Sequence, residues 1–393
     1  MNSDFDDKKN KQAIRSLSLG HFTVDAYSSF ITPILPFIAS KIGINLAMAA
    51  SVISISHILS SMSQPFYGFI ADKMKKRFFV FWGLLLSCVF LSMTGIVQNY
   101  FQLVLFLVLG SIGSGFFHPQ ATGMVDYFST YKVKQEMAIF IAMGTLGYSL
   151  GPLVSSTVTH LFSLEALPFM AIWGFVAAAG VYKYVPRLSV LPNIDRPKGS
   201  FLKATKIVFS NKILLILIMM SMLKALTVQS YCIFLPFVWK NLGYNVSQIG
   251  FALFAFSFLG GLATYFSSHL ERKIGMKKVF YITMLSALPL TVAYILTYKT
   301  FIPASFVIFV LVGIVSMLST SVNMTLAQNT VKEHKSMISG YVGGFSWGVM
   351  GVLFMPLSLA AQYIGIMKML LVISAIPFVC AYLVRFLPDS EEV

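Results

Sequence analysis

Two charged side chains, Asp25 and Lys224, lie deep inside long apolar stretches of the sequence. An unpaired charge is costly at the centre of a membrane, so a charge that is kept there usually has a function. A carboxyl group can take up and release a proton, and an ammonium group can pair with it or bind an anion. We therefore expect Asp25 to carry a driving proton, and Lys224 either to hold Asp25 ionised or to bind an anionic substrate group. A purely structural ion pair between them is the alternative.

Histidines near Asp25 could take part in the same chemistry. His21 precedes Asp25 by four residues, which places both side chains on one helix face. His118 precedes Pro119, whose missing N–H leaves a carbonyl free nearby. Because histidine titrates near neutral pH, His21 and His118 are candidates for proton coupling, with a packing role as the alternative. Together with His57 and Asp25 they would also suit a divalent transition metal as cargo, although we predict no resident metal.

Other candidates for substrate contact are polar or aromatic side chains within the apolar stretches. Amide groups could bond a substrate, and aromatic rings could stack on it. Besides Lys224 and His57, these candidates are Gln229, Tyr231, Asn323, Trp347 and Tyr148. Bonds between helices and ordinary packing are the alternatives for each of them.

The composition shows which elements must position these residues. Of the 393 residues, 57% are hydrophobic and 11% are charged, whereas soluble domains carry about 25% charged residues. Apolar stretches of about 20 residues are long enough to cross a membrane as helices. Twelve such spans are predicted, at 13–40, 46–71, 78–97, 100–126, 136–160, 165–185, 212–240, 245–269, 278–298, 302–328, 337–361 and 364–387. The sequence therefore predicts an all-α membrane protein.

The basic residues predict the orientation of these spans. The net charge is +15, and alternating the loops from a cytoplasmic N-terminus leaves only Lys41, Lys240, Lys299 and Lys368 on the outer side. The positive-inside rule then places both termini in the cytoplasm. The orientation of the spans thus accounts for the large positive net charge, and we expect no binding of nucleic acid. We expect that no signal peptide is cleaved and that the chain is a multi-pass protein of a bacterial cytoplasmic membrane. We also expect a monomer whose partners are the lipid bilayer and a small-molecule substrate.

A repeat divides the chain into two halves. Residues 35–37, Gly43 and Asn45 recur 200 positions later as residues 235–237, Gly243 and Asn245. Duplication is the better explanation for several matches in one register. We predict a six-helix bundle at 1–185, a cytoplasmic linker at 186–211 and a second six-helix bundle at 212–393. Repeats of this kind are typical of transporters that bind substrate near mid-membrane between the halves, and the register puts Lys224 beside Asp25.

The loop after the second predicted span carries a signature. Gly68, Asp72 and Arg77, with the lysines between them, resemble the G-x-x-x-D-R-x-G-R-K motif of the major facilitator superfamily, and a degenerate copy lies at residues 271–278. The resemblance implies the major facilitator fold. It also implies that Gly68, Asp72 and Arg77 form a latch that closes the cytoplasmic side. Lys75 stands where the motif has its second glycine.

Further phrases in the first half are similar to one branch of the superfamily. His21 and Asp25 with their neighbours, the sequence F-H-P at 117–119, and Gly147, Gly151 and Pro152 look like the fosmidomycin-resistance branch of drug exporters. The glycines would let helices approach closely, and the proline would allow a bend. The basic residue that many proton-driven exporters carry before the glycines of span 4 is absent from residues 105–110.

These observations predict proton-coupled efflux of a small amphipathic or anionic compound by alternating access. The proton gradient would supply the energy, and no cofactor is expected. A facilitator or importer on the same fold, or a transporter of divalent transition metals, is the alternative. We expect no enzyme activity, because the longest loop is too short for a catalytic domain and the sequence has no H-E-x-x-H or phosphate-loop motif.

Overall fold

The structure is a computed structural model that describes residues 2–64, 66–67, 77–129, 133–186, 201–331 and 335–388. All regular elements in these ranges are helical. Within them, eleven helices are long and apolar enough to cross a membrane, and the shorter apolar helix Leu46–Met62 occupies the position of the second predicted span. The helices confirm the predicted all-α membrane fold class.

The structure describes six α-helices in the first half of the chain. They are α1 (Asn2–Ile42), α2 (Leu46–His57), α3 (Phe78–Ser92), α4 (Tyr100–Phe128), α5 (Val133–Leu161) and α6 (Ala171–Tyr184). A π-helical turn, Ile58–Met62, extends α2, and a 3-10 turn, Leu164–Met170, precedes α6. Helix α1 packs against α3, α4, α5 and α6, which makes it the central helix of this half.

The second half contains more and shorter helices. They are α7 (Phe201–Ser210), α8 (Lys212–Asn241), α9 (Val246–Ile274), α10 (Met276–Leu285), α11 (Ala287–Thr297), α12 (Ile302–Met317), α13 (Thr320–Thr330), α14 (Lys335–Gly340), α15 (Ser346–Ile364) and α16 (Ile366–Cys380). The ninth predicted span is divided between α10 and α11, because Pro289 cannot donate the backbone bond that would join them.

The predicted linker contains α7, which the sequence analysis did not anticipate. Asn211 separates this helix from α8, because its side-chain oxygen accepts the backbone N–H groups of Ile213 at 3.0 Å and Leu214 at 3.2 Å. An asparagine that accepts such bonds starts a new helix. Residues 187–200 of the predicted linker lie outside the described ranges.

The repeated residues make the same turn in both halves. Gly43 and Gly243 have φ values of 70° and 89°, a left-handed conformation that glycine adopts without steric cost. Two residues later, the side chains of Asn45 and Asn245 each accept a backbone N–H from the third residue of the next helix at 2.9 Å. The repeat therefore encodes a helix end, a tight turn and a helix start.

The chain forms two compact units. One comprises Met1–Ile194 with Trp239–Phe254, and the other comprises Asp195–Val238 with Ala255–Val393. Within the first unit, Lys240 donates a hydrogen bond to the hydroxyl of Ser40 and lies over the ring of Phe37. In the second unit, the buried core includes Leu217 of α8, Phe280 of α10 and Leu326 of α13.

Candidate functional site

The first unit brings together the three residues predicted to couple protons. Both oxygens of the Asp25 carboxylate are engaged: Oδ2 lies 3.2 Å from Nε2 of His21, and Oδ1 lies 3.3 Å from Nε2 of His118. His21 and Asp25 project from the same face of α1, while His118 comes from α4. The side chain of Asp25 is 18% exposed. Two imidazoles thus enclose one carboxylate between two central helices.

Helix α5 supports this cluster through its backbone. Nδ1 of His21 donates a 2.8 Å hydrogen bond to the carbonyl oxygen of Phe140, and the two rings stack with centroids 4.2 Å apart. On the other side, Nε2 of His118 lies 3.3 Å from the Ser114 hydroxyl, which accepts a bond from Ser28 at 3.3 Å. A line of polar groups therefore runs from Phe140 through the carboxylate to Ser28.

The Phe140 contact shows which ring nitrogen of His21 carries a hydrogen. A carbonyl oxygen can only accept, so Nδ1 of His21 must carry a hydrogen. Nε2 of a neutral His21 would then direct a lone pair at the Asp25 carboxylate. The 3.2 Å contact is attractive only if one additional proton lies on His21 or on Asp25. The geometry is therefore compatible with one proton shared between these two residues.

Glycines of α5 allow it to pack closely against α1. A Cβ atom on Gly147 would collide with the backbone carbonyl of Phe22, and one on Gly151 would collide with the backbone of Ala26. A Cβ atom on Gly144 would lie 2.7 Å from Oδ2 of Asp25 and against the His21 ring. Pro152 lies within α5 without ending it. Small residues thus permit the helix approach on which the Phe140 bond depends.

We expect Gly144→Ala to lower pH-gradient-driven transport by about ten-fold, which corresponds to roughly 1.4 kcal/mol. The new methyl group must displace the Asp25 carboxylate or the His21 ring from their contact. Transport in membrane vesicles and thermal unfolding would be measured together. Gly180→Ala is the matched control, because the nearest atom to its added Cβ would be 3.9 Å away. If the Gly144→Ala variant transported substrate at the wild-type rate, the close contact between His21 and Asp25 would not be needed for transport.

The second unit holds Lys224 in a separate polar cluster. This side chain of α8 is 6% exposed and donates a 2.7 Å hydrogen bond to the hydroxyl of Thr320 on α13. One turn away, Nδ2 of Asn323 donates to the Ser221 hydroxyl at 2.7 Å, while its buried Oδ1 has no hydrogen-bond partner. No carboxylate among the described residues forms an ion pair with Lys224. Two of the predicted substrate contacts, Lys224 and Asn323, thus lie on facing helices.

The remaining predicted substrate contacts are dispersed. Tyr231 is enclosed in the second unit, where its hydroxyl bonds the Thr291 hydroxyl at 2.6 Å and its ring packs near Tyr294 and Phe309. Gln229 is buried in α8. His57 in α2, Tyr148 in α5 and Trp347 in α15 are half-buried. The contacts of Tyr231 favour packing, and the role of each of these residues stays a prediction.

Part of the predicted latch can be located. Gly68 and Asp72 lie outside the described residues. Arg77 precedes α3, donates a hydrogen bond to the carbonyl of Val185 and lies with its guanidinium 4.6 Å from the ring centroid of Tyr182. Arg77 therefore ties the start of α3 to the end of α6 within the first unit.

Among the described residues, one group of side chains has the spacing of metal ligands. The nearest ligand atoms of His21, Asp25 and His118 all lie within 4.8 Å of one another. Two imidazoles and a carboxylate form a donor set that divalent transition metals accept. His57, which the sequence analysis had added to this set, is not a member of the group.

A hydrolase-like sequence in the second unit has a structural role. Residues 344–348 read G-x-S-x-G, which marks a nucleophile when it joins a strand to a helix. Here it lies in a π-helical turn, Tyr341–Phe345, and the first residues of α15. The single hydroxyl hydrogen of the buried Ser346 is shared between the carbonyls of Ile218 at 3.2 Å and Tyr341 at 3.1 Å. Its hydroxyl therefore fastens two helices and is not exposed for attack.

Sequence reasoning missed the supporting groups Phe140, Ser114 and Ser28. Ser114 precedes His118 by four residues and Ser28 follows Asp25 by three, so helical spacing could have identified both. Phe140 contributes a backbone carbonyl, which every residue type possesses. The identity of the Phe140 side chain therefore could not predict that bond.

Comparisons with known proteins agree with this architecture. The family model described as Major Facilitator Superfamily matches residues 17–355. The fosmidomycin resistance protein of Escherichia coli (strain K12) is 25% identical over 96% of this chain and 93% of its own length. The multidrug resistance protein MdtG of Klebsiella pneumoniae (strain 342) is 25% identical over 76% of this chain and 72% of its own length.

Solved structures show the same fold at low identity. The nucleoside transporter NupG has a TM-score of 0.74 at 16% identity, covering 95% of this chain and 98% of its own. A POT family transporter in complex with 5-aminolevulinic acid has a TM-score of 0.76 at 14% identity, covering 95% of both chains. The family match and the curated relatives confirm the resemblance inferred from the sequence motifs. With a family model covering most of its length, this chain belongs to the major facilitator superfamily.

Proposed function

We propose that this transporter exports a small amphipathic or anionic compound across a bacterial cytoplasmic membrane in exchange for protons. The observation that carries the proposal is the contact between His21 and Asp25, which needs one additional proton while Phe140 fixes the hydrogen on Nδ1. The curated relatives named for fosmidomycin and multidrug resistance support efflux over import.

Release of this proton would change the contacts that His21 makes within α1 and with α5. Without it, His21 must either separate from Asp25 or move its remaining hydrogen to Nε2 and give up the bond to Phe140. The first change affects α1 and the second affects the contact between α1 and α5. Proton occupancy is thereby linked to the helix arrangement, and an exchanger that alternates between two states requires such a link.

Lys224 supplies the second element of the proposal. A buried ammonium group has three donors, and one of them is bonded to a neutral hydroxyl, that of Thr320. An anionic group on the substrate would compensate the buried charge. In this proposal the protein acts as a monomer, has both termini in the cytoplasm, and uses the proton gradient without any cofactor.

Inside-out membrane vesicles provide the test, with fosmidomycin as the probe. The lumen of the vesicles is made acidic. We expect protons to leave the lumen through the transporter and fosmidomycin to enter in exchange, so that its concentration in the lumen rises above that outside. A protonophore should abolish this accumulation. Equilibration that ignores the pH gradient would instead indicate the facilitator, and accumulation in the reverse direction would indicate an importer. Zinc ions tested in the same vesicles distinguish metal transport.

A further inference from the structure

A cleft opens between residues 11–19 of α1 and the first three turns of α5. It has a volume of about 330 Å³. Arg15 and Lys11 line it from α1, and Glu136 lines it from α5. Because Lys11 and Arg15 are four residues apart, their side chains share one face of α1. The cleft therefore has basic side chains on its α1 side and an acidic side chain on its α5 side.

The inner walls of the cleft are apolar. Ile14 and Leu19 of α1 face Ile139 and Met143 of α5 across it. Ile139 is 54% exposed, so the apolar wall continues onto the outer surface of α5. A ligand that fits must combine a charged head with an apolar body. Membrane phospholipids have this construction, and the positive-inside prediction places the charged residues at the cytoplasmic headgroup level.

Ser18 lies at the inner end of the polar wall of the cleft. It lines the cleft and is 4% exposed, and its hydroxyl oxygen has no hydrogen-bond partner. A buried hydroxyl without a partner is costly, so rotation of the Ser18 side chain toward the cleft would be favoured if a ligand oxygen there accepted its hydrogen. Three residues after Arg15, Ser18 lies about 4.5 Å deeper along α1. The ester oxygens of a phospholipid likewise lie deeper than its phosphate.

We propose that this cleft binds a phospholipid with a phosphoethanolamine headgroup. The phosphate would lie between Arg15 and Lys11, and the ammonium group would bond Glu136. Phosphatidylglycerol offers the phosphate but has no cation for Glu136. Phosphatidylcholine retains a cation, but its methylated nitrogen cannot donate a hydrogen bond to the carboxylate. In this proposal the cleft prefers phosphatidylethanolamine, because it alone of the three combines a phosphate with a cation that donates hydrogen bonds.

Lipid binding to the full-length protein, measured by native mass spectrometry with each of the three lipids, tests this proposal. We expect phosphatidylethanolamine to bind about five-fold more tightly than the other two. Arg15→Gln should weaken both phosphatidylethanolamine and phosphatidylglycerol, because both lose the phosphate contact. Glu136→Gln should remove the preference for phosphatidylethanolamine and leave phosphatidylglycerol unweakened.

Lys212→Gln is the matched control, since it removes an exposed basic residue at the start of another helix, α8. It should leave the lipid preference unchanged. Arg15 is exposed and Glu136 is half-buried, so circular dichroism should show both variants to be folded. Equal binding of the three lipids by the wild type, or an unchanged preference in Glu136→Gln, would overturn the proposal. The readout is binding, so the result does not depend on the proposed transport function.

Discussion

Asp25→Asn is expected to abolish transport driven by a pH gradient, with a rate at least about 100-fold below wild type, or roughly 2.7 kcal/mol in activation free energy. The asparagine amide has nearly the same size as the carboxyl group but does not take up a proton. Its N–H can donate to Nε2 of a neutral His21, so the contact survives without the additional proton. The contact then no longer depends on an additional proton, and its link to the proton gradient is lost.

Vesicle transport with and without an imposed pH gradient measures this effect. Exchange of labelled for unlabelled substrate at equal pH should persist in Asp25→Asn, because that exchange requires no net proton movement. Asp126→Asn is the matched control, since Asp126 is exposed near the end of α4. It should retain gradient-driven transport. If Asp25→Asn still accumulated substrate against its gradient, another group would have to carry the proton.

Much of the fold follows from short-range rules. Apolar stretches long enough to cross a membrane predicted nearly all the long helices. The repeated Gly43 and Asn45 indicated a duplication, and the structure shows that they make equivalent turns in both halves. Helix α7 was missed because its sequence lies in a polar, proline-containing segment and is too short to cross a membrane. Its polar residues indicated a loop, whereas their helical spacing permits a surface helix.

The candidate site was predictable where one helix contributes both partners. His21 and Asp25 are four residues apart on α1, and that spacing alone places them together. Contacts between helices depend on how each helix is rotated, which a span boundary does not specify. The repeat register predicted the depth of Lys224 but could not identify Thr320 of α13 as its acceptor. The Phe140 carbonyl required the packing of α5 on α1 to be known.

Lys224→Gln is expected to reduce transport of an anionic substrate by about 30- to 100-fold, while the empty protein becomes as stable as the wild type or more so. A buried charge costs free energy unless it is compensated, so its removal relieves the empty protein. The same charge attracts the anionic group, and loss of a buried charge contact costs about 2 kcal/mol of binding or more. The expected 30- to 100-fold effect corresponds to roughly 2.0–2.7 kcal/mol, the lower end of that range. Glutamine can still bond the hydroxyl of Thr320, which preserves the local packing.

Three measurements on Lys224→Gln separate a substrate contact from a structural role. Thermal unfolding should show an equal or higher midpoint, substrate affinity should fall, and transport of a neutral compound should be affected least. Lys224→Arg keeps the charge and should retain part of the activity. Lys212→Gln, at the exposed start of the same helix, is the control and should resemble the wild type. A lower unfolding midpoint with unchanged affinity for the anion would show that Lys224 serves the fold, because a substrate contact would give the opposite pair of results.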